Sequence, residues 1–552
     1  MAGDHGHVTL ELVSLLLTSG RSTGSGRSTE SATAPTQNGG RLGADRLLLL
    51  ATLVCTVLAC APFFRYVLWL GDEGIVLNGA EKILRGERIY RDFFEFLPPG
   101  SFLIGAAWMQ LIGPSFASIR VLAIGVIVAC AGLTYVAIRQ ASRSPGLAAL
   151  LTITWVVQSQ GSWMVISHHW FSTAASMASA VALFSALTTG GTAPTALRLA
   201  GFFAGIAAMM TPVQGAFLCL AALGLAATRP DRRRAVVGVV GGVAIFPLAT
   251  LAYLGATDAI GSAFYDIIVF PAQHYADVNA VRYGAFTEPH SVAAMLFLPL
   301  TLVLTAAAAI LDRQLLWRDP RCRAALALAL VAVPSVFPRP DISHINFVLP
   351  LAFPLFAIVT PHLLRGLGPV RRPVGLALIA LAVVVAGYAA YKKIVPIVLG
   401  PLREVSTARG VFVATPSPWI DVVAALVAEI ERTPPADGFF FYPYSPMLPY
   451  LTAREHVAPI DIMIPGYTTP EQYRAVCLRV VRDARWIVID RSWTNPLMLK
   501  AVYPNMRIFD PPEMREFEAA MRLAFDQVVH ASPVFELRRR GANASERSCW
   551  RI

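Results

Sequence analysis

GDEGIVLNGAEKILRGERIYRDFFEFLPPG, residues Gly71 to Gly100, is the stretch on which the reading of this chain turns. Two adjacent acids, Asp72 and Glu73, follow directly on an apolar run, and a double proline closes the segment. Asp72 stands where a helix cap belongs, Val76, Ala80, Ile83 and Leu84 repeat at helical spacing, and Gly86 follows as a stop. The pattern predicts an amphipathic helix from Glu73 to Arg85 lying along a membrane surface. Local pattern alone leaves two readings of the acids. Either Asp72 caps the helix while Glu73 complements its dipole, or a partly desolvated carboxylate at the membrane boundary activates a hydroxyl or amine acceptor.

The rest of the chain supplies the membrane. Of 552 residues, 55% are hydrophobic and 15% charged, and the mean hydropathy is +0.56; soluble domains carry roughly 25% charged residues. Apolar runs approach the ~20 residues that span a bilayer. They are Leu47 to Leu70, Ala117 to Ile138, Gly146 to Trp163, His169 to Leu187, Leu197 to Met210 and Val213 to Ala227. Ala235 to Leu254, Val292 to Leu311, Arg323 to Phe337, Ile345 to Thr360 and Val374 to Tyr391 complete the set, giving about eleven spans. The net charge of +11 is then arginine at cytoplasmic span ends. No basic stretch is interleaved with aromatics, so a nucleic-acid surface is not expected.

Loop charge predicts the orientation. With the N-terminus inside, the inner loops hold Arg139 and Arg143, Arg198, Arg229 to Arg234, Asp312 to Arg323, and Arg365, Arg371 and Arg372. The short outer loops hold essentially one basic residue, Arg339. This puts residues 71–116 (a first outer loop with surface helices), the His168 region, 258–290 and everything after Lys392 outside. The expected organisation is a disordered cytoplasmic tail (1–45), a polytopic α-helical membrane domain (46–400) and a small extracytoplasmic α/β domain (410–552). In the last, Trp419 to Glu431 and Pro470 to Ala484 have helical periodicity, with Thr469, Pro470 and Gln472 as a helix start, while Phe439 to Tyr444 and Arg485 to Asp490 read as buried strands. It has no glycine-rich phosphate loop. The seven cysteines form no metal-ligand spacing, but Cys477 and Cys549 can pair if their region is extracytoplasmic.

The first outer loop also combines Arg85, Tyr90, Arg91, Asp92 and Phe93 with Pro98, Pro99 and Gly100. The acidic pair after span one, the G-x-x-I-Y-x-D run and the PPG that follow it resemble the GT-C superfamily of integral-membrane glycosyltransferases, which includes the protein O-mannosyltransferases and the lipid A aminoarabinose transferases. The resemblance implies transfer of a sugar from a polyprenyl-phosphate carrier to a lipid, glycan or protein acceptor on the outer face of the cytoplasmic membrane, with no nucleotide. It places the catalytic acid at Asp72, with Glu73 beside it.

A phosphate leaving group needs cations or hydrogen-bond donors. FPRPDISHINF (Phe337 to Phe347) offers Arg339 and His344, with Asp341 as either an ion-pair partner of Arg339 or a substrate contact. His168 and His169 stand at another outer span end, His168 as a phosphate ligand and His169 as a substrate contact, or both as structural caps; adjacent on a helix, they point apart and cannot chelate one metal together. Tyr90, Arg91, Asp92 and Arg282 complete the substrate-binding candidates, and Tyr265, Asp266, Gln273, His274 and Tyr275 form a third outer cluster rich in interfacial aromatics. Arg65, inside the expected first span, would snorkel toward one of the acids. A divalent cation on the acidic pair stays open. The competing readings are a transporter or flippase, or a ligase, of lipid-linked saccharides; the absence of a visible internal repeat and the gathering of polar groups at one boundary favour transfer.

Overall fold

The computed structural model describes residues 37–159, 163–188, 193–542 and 544–552. Most of the expected tail, 1–36, lies outside the described residues. Among the described residues, six helical stretches are long and apolar enough to cross a bilayer: Gly43–Phe63, Phe116–Ser142, His168–Leu187, Arg232–Ala256, Pro289–Leu311 and Gly368–Leu399. A seventh is broken by a 67° bend between Ile342–Leu351 and Phe353–Gly366. Four shorter apolar helices, Gly100–Ile112, Pro145–Ser159, Ala193–Ala208 and Pro212–Ala227, pack among them. The chain is a multi-pass membrane protein, and several of the expected spans are these shorter helices. Their close packing rests on small residues. A Cβ added at Gly242 would lie 2.1 Å from the Arg198 carbonyl oxygen, so helices Arg232–Ala256 and Ala193–Ala208 meet backbone to backbone there.

The first span ends sooner than its apolar run. The helix Gln37–Cys60 is followed by one 3₁₀ turn, Ala61–Phe63. The chain then leaves the helix and pairs with the C-terminal region: Val67 N–H donates to Val413 O (2.9 Å) and Val413 N–H to Arg65 O (2.8 Å). Arg65 is therefore an exposed residue of an extended segment, not a charge inside a span.

The helix Glu73–Leu84 forms as expected but does not lie on a surface. Nearly all of it is buried, including Glu73, Asn78 and Lys82. Its polar face, which suggested water, meets polar partners in the protein instead. Ala80 packs by Gly105 and Gly79 by Phe102 of helix Gly100–Ile112, while Lys82 Nζ donates to Ala458 O (3.0 Å) and Asp461 Oδ1 (3.3 Å).

Beyond the last span, β1 (Arg403–Thr407) and β2 (Gly410–Ala414) form an antiparallel hairpin. β3 (Phe439–Tyr442), β4 (Trp486–Asp490), β5 (Gln527–Ala531) and β6 (Phe535–Arg539) form a sheet of order β3-β4-β6-β5. β3 and β4 are parallel, Phe439 opposite Trp486, with the helix Pro470–Asp483 as crossover. That helix starts on the capping box of Thr469 and Gln472. Its Cys477 is disulfide-bonded to Cys549. Strands β3 and β4 and the helices Pro418–Glu431 and Pro470–Asp483 occupy the stretches their sequence patterns predict.

Candidate functional site

Where the first loop, the span ends and the C-terminal region meet, they enclose a cavity of about 540 Å³. Asp72 lines it, as do Arg339, Asp341, His344, His168 and His169.

Asp72 comes first in the helix Glu73–Leu84 at its N-cap position, yet its side chain makes no cap bond. Its Oδ1 accepts a hydrogen bond from the hydroxyl of Tyr444 instead. Burial raises the Asp72 carboxyl above the usual carboxylate range; the Tyr444 hydroxyl, His344 and Arg339 pull the other way. A half-buried carboxylate with an elevated pKa is suited to general-base work.

Glu73 turns away. Successive helix residues point about 100° apart, so with Asp72 facing the cavity Glu73 enters the core. There Arg120 Nη1 donates to Glu73 Oε1 (2.5 Å), the Ile166 N–H donates to the same oxygen (3.1 Å), and Arg120 also donates to Met164 O (2.8 Å). The acidic pair therefore divides into one chamber residue and one core residue. Glu73 and Arg120 hold the strand of chain that runs through Ile166 into His168.

Arg339 lines the same cavity. Its Nε donates to Asp341 Oδ2 (2.9 Å), Nη2 to Val502 O (3.1 Å) and Nη1 to Asn279 Oδ1 (3.5 Å). The rings of Phe286 and Tyr503 each stand 5.5 Å from the guanidinium carbon. Ion pairing with Asp341 and exposure to the chamber thus coexist, and N–H groups of both Nη atoms remain for an anion. Asp341 caps the helix Ile342–Val348 through Ser343 N and His344 N (3.0 Å each) and meets His344 Nδ1 at 2.7 Å. Burial alone would raise its pKa, but His344 and Arg339 outweigh this and hold the carboxyl below its ordinary value. Ionised Asp341 accepts from His344 Nδ1, which leaves Nε2 for a ligand.

The two adjacent histidines do not point apart as expected. The helix His168–Thr188 begins at this pair, where the chain is still entering the helix, and their rings lie 3.9 Å apart. His169 stacks on Phe347 at 4.7 Å and meets His344 edge-on at 4.8 Å. Three imidazoles are thus brought together beside Arg339. Among the described residues, no group of three or more His, Cys, Asp and Glu side chains is placed to hold a metal ion.

Four of the candidates lie outside the chamber. Tyr90 is buried in a tight turn at φ 68°, its hydroxyl donating to Leu97 O (2.6 Å). Arg91 and Asp92 are exposed, Asp92 Oδ2 accepting from Arg88 N–H (2.8 Å). Arg282 is exposed as well. The motif around Tyr90 shapes a turn that delivers Phe96, Leu97 and Pro98 to the cavity wall.

The wall also holds residues that the sequence reading did not single out: Asn279, Trp69, Trp163 and, from the C-terminal region, Tyr444, Tyr467, Trp493 and Tyr503. Trp69 and Trp163 stand next to the Asp72 and His168 segments in sequence, which was a usable signal. The C-terminal aromatics carried none, since FFFYPY reads equally well as a core strand.

No family model matches the sequence, and no curated protein matches it. In fold, the chain is similar to the crystal structure of ArnT from Cupriavidus metallidurans bound to undecaprenyl phosphate, at 14% identity and a TM-score of 0.53, over 91% of this chain and 99% of that one. It is also similar to the cryo-EM structure of the arabinofuranosyltransferase AftD from Mycobacteria, at 15% identity and a TM-score of 0.47, over 95% of this chain and 41% of that one. Over 91% of its length, then, the chain has the fold of ArnT, a lipid A aminoarabinose transferase and a GT-C protein, as its first loop implied.

Proposed function

We propose that the protein is a GT-C-type membrane glycosyltransferase that moves a sugar from a polyprenyl-phosphate carrier to an acceptor on the outer face of the cytoplasmic membrane. The observation that carries the reading is the sharing of one chamber by the Asp72 carboxylate and the Arg339–Asp341–His344 group. ArnT, of the same fold, binds undecaprenyl phosphate. The loop arginines and the Cys477–Cys549 disulfide support an outer location for the C-terminal region.

In this mechanism Asp72 takes the proton of an acceptor hydroxyl or amine as that atom bonds to the anomeric carbon. The bond from that carbon to the phosphate oxygen breaks in the same displacement, and the oxygen keeps the electron pair. Arg339 meets the growing phosphate charge with the N–H groups left on its Nη atoms, and His344 and His168 add hydrogen bonds. The aromatic rings around the chamber exclude water and offer faces to a sugar.

The test is Asp72→Asn in the full chain in lipid nanodiscs, supplied with a labelled polyprenyl-phosphate sugar fraction from membranes. Turnover should fall by about 10²–10⁴-fold, with undecaprenyl phosphate affinity kept. Transfer at the unaltered rate would remove Asp72 from its role, and a label that crosses the bilayer still attached to lipid would favour a flippase.

A further inference from the structure

We infer that Tyr444, carried by the C-terminal region, is the positioning residue that holds the Asp72 carboxylate in the chamber, so that the C-terminal region is a structural part of the site. The inference deepens the proposed function and rests on that reading.

The geometry begins with a clamp. Asn78, one helical turn beyond Gly74, donates from Nδ2 to Pro446 O (2.7 Å), and Met447 N–H donates to Leu70 O (3.2 Å). Between them Gly74 lies against the chain at Pro446: a Cβ there would stand 2.1 Å from the Pro446 carbonyl carbon. Only glycine admits this approach. The segment 444–447 is fixed from its other side as well. Ser445 Oγ donates to Asp490 Oδ2 (2.7 Å) at the end of β4, and the Tyr444 ring stands edge-on to Trp493 with centroids 4.7 Å apart. Both ends of the Tyr444–Asp72 bond are thereby held by contacts of their own chain segments.

The bond occupies Asp72 Oδ1 and leaves Oδ2 for a proton from the acceptor. Tyr444 keeps its own proton throughout, because burial, with the Asp72 carboxylate adding to it, holds the phenol well above its usual range. The charged and titratable groups facing Asp72 are Arg339, Asp341 and His344 from one wall, Tyr275 from another, and Tyr444, Tyr467 and Tyr503 from the C-terminal region. Of these, the Tyr444 hydroxyl is the one in hydrogen-bond contact with the carboxylate.

Tyr444→Phe deletes one oxygen and leaves the ring against Trp493. A donor to the ionised form lowers a carboxyl pKa, so its loss should raise that of Asp72 by about one unit. The carboxyl band in pH-difference infrared spectra of the full chain in nanodiscs reads this, assigned by its absence in Asp72→Asn. Turnover should fall about tenfold with undecaprenyl phosphate affinity within about twofold of wild type. An unmoved titration overturns the inference, and so does a moved titration with unaltered turnover. Should Tyr444→Phe fail to fold, Asn78→Ala loosens the clamp without touching either group and should move the Asp72 titration upward by less; no movement there overturns the inference too. Absence of transfer in the wild type would instead sink the glycosyltransferase reading. An unmoved titration with transfer intact sinks this inference alone.

Discussion

The chamber around Asp72 and the sealed cluster around Lys82 lie at the two ends of one helix and hold similar charges to different ends. In the cluster, Lys82 is spent on Ala458 O and Asp461, His456 Nε2 stands 3.3 Å from Asp461 Oδ1, and the buried Glu95 and Asp266 lie alongside. In the chamber, Asp72, His344 and Arg339 line a cavity of about 540 Å³, with the hydrogen bonds of Asp72 and His344 made through Oδ1 and Nδ1. Buried charges that satisfy one another hold surfaces together; charges left half-satisfied around an open volume wait for a ligand. Changes to the first kind should therefore appear as lost stability, and changes to the second as lost affinity or turnover.

The Glu73–Arg120 pair puts that distinction to its largest test, since Glu73 is a direct neighbour of Asp72 yet belongs to the sealed kind. Glu73→Ala strips Arg120 of its carboxylate partner and the Ile166 N–H of its acceptor. Breaking a buried pair from one side costs about 3–5 kcal/mol, read as lower thermal stability in detergent. Glu73→Gln, which keeps an acceptor for both donors, should recover part of the loss. Full stability in Glu73→Ala with transfer abolished would reverse the roles of the two acids.

Arg339→Lys tests the chamber. Lysine keeps the charge but loses the planar fork that reaches Asp341, Asn279 and Val502 together. Undecaprenyl phosphate should bind about tenfold more weakly, or about 1.4 kcal/mol, by titration against the protein in nanodiscs. A loss confined to thermal stability would make Arg339 a tie to Val502 and no more.

Which kind a charge belongs to was only partly legible in the sequence. Composition and apolar runs pointed to a membrane protein, and the motif in residues 71–100 pointed to a fold that the chain does have in common with ArnT, at 14% identity. Asp72, Arg339, Asp341 and His344 stood out because a charge at a span end is costly and few are present. Their sharing of a cavity needed tertiary contacts. Glu73 misled because adjacent acids look alike until helix phase assigns one to each side. Arg65 misled because a helix can end before its hydrophobic run does. Tyr444 was hidden most thoroughly: its partner is 372 residues away, and aromatic density in a strand signals a core before it signals a site.

The smallest effect is expected inside the sealed cluster, where burial pushes the Glu95 and Asp266 carboxyls up and the His456 imidazole down. Burial pushes the Asp266 carboxyl up to about 7 from 3.8. Between those values the folded chain binds more protons than the unfolded one, so this group's contribution to stability is present at low pH and falls as pH rises toward 7. Burial lowers His456 from 6.5 to about 4, so the folded chain there binds fewer protons, and that contribution is lost as pH falls through the same window. The two contributions oppose each other, so the share of Asp266 is read by comparing the wild type with a variant that lacks it. Asp266→Asn removes only the first. Relative to the variant, the wild type should lose about 1 kcal/mol of stability between pH 6 and pH 7, measured by thermal unfolding at each pH. Parallel curves for the two proteins would mean that Asp266 is as well hydrated folded as unfolded, and would take it out of the sealed cluster.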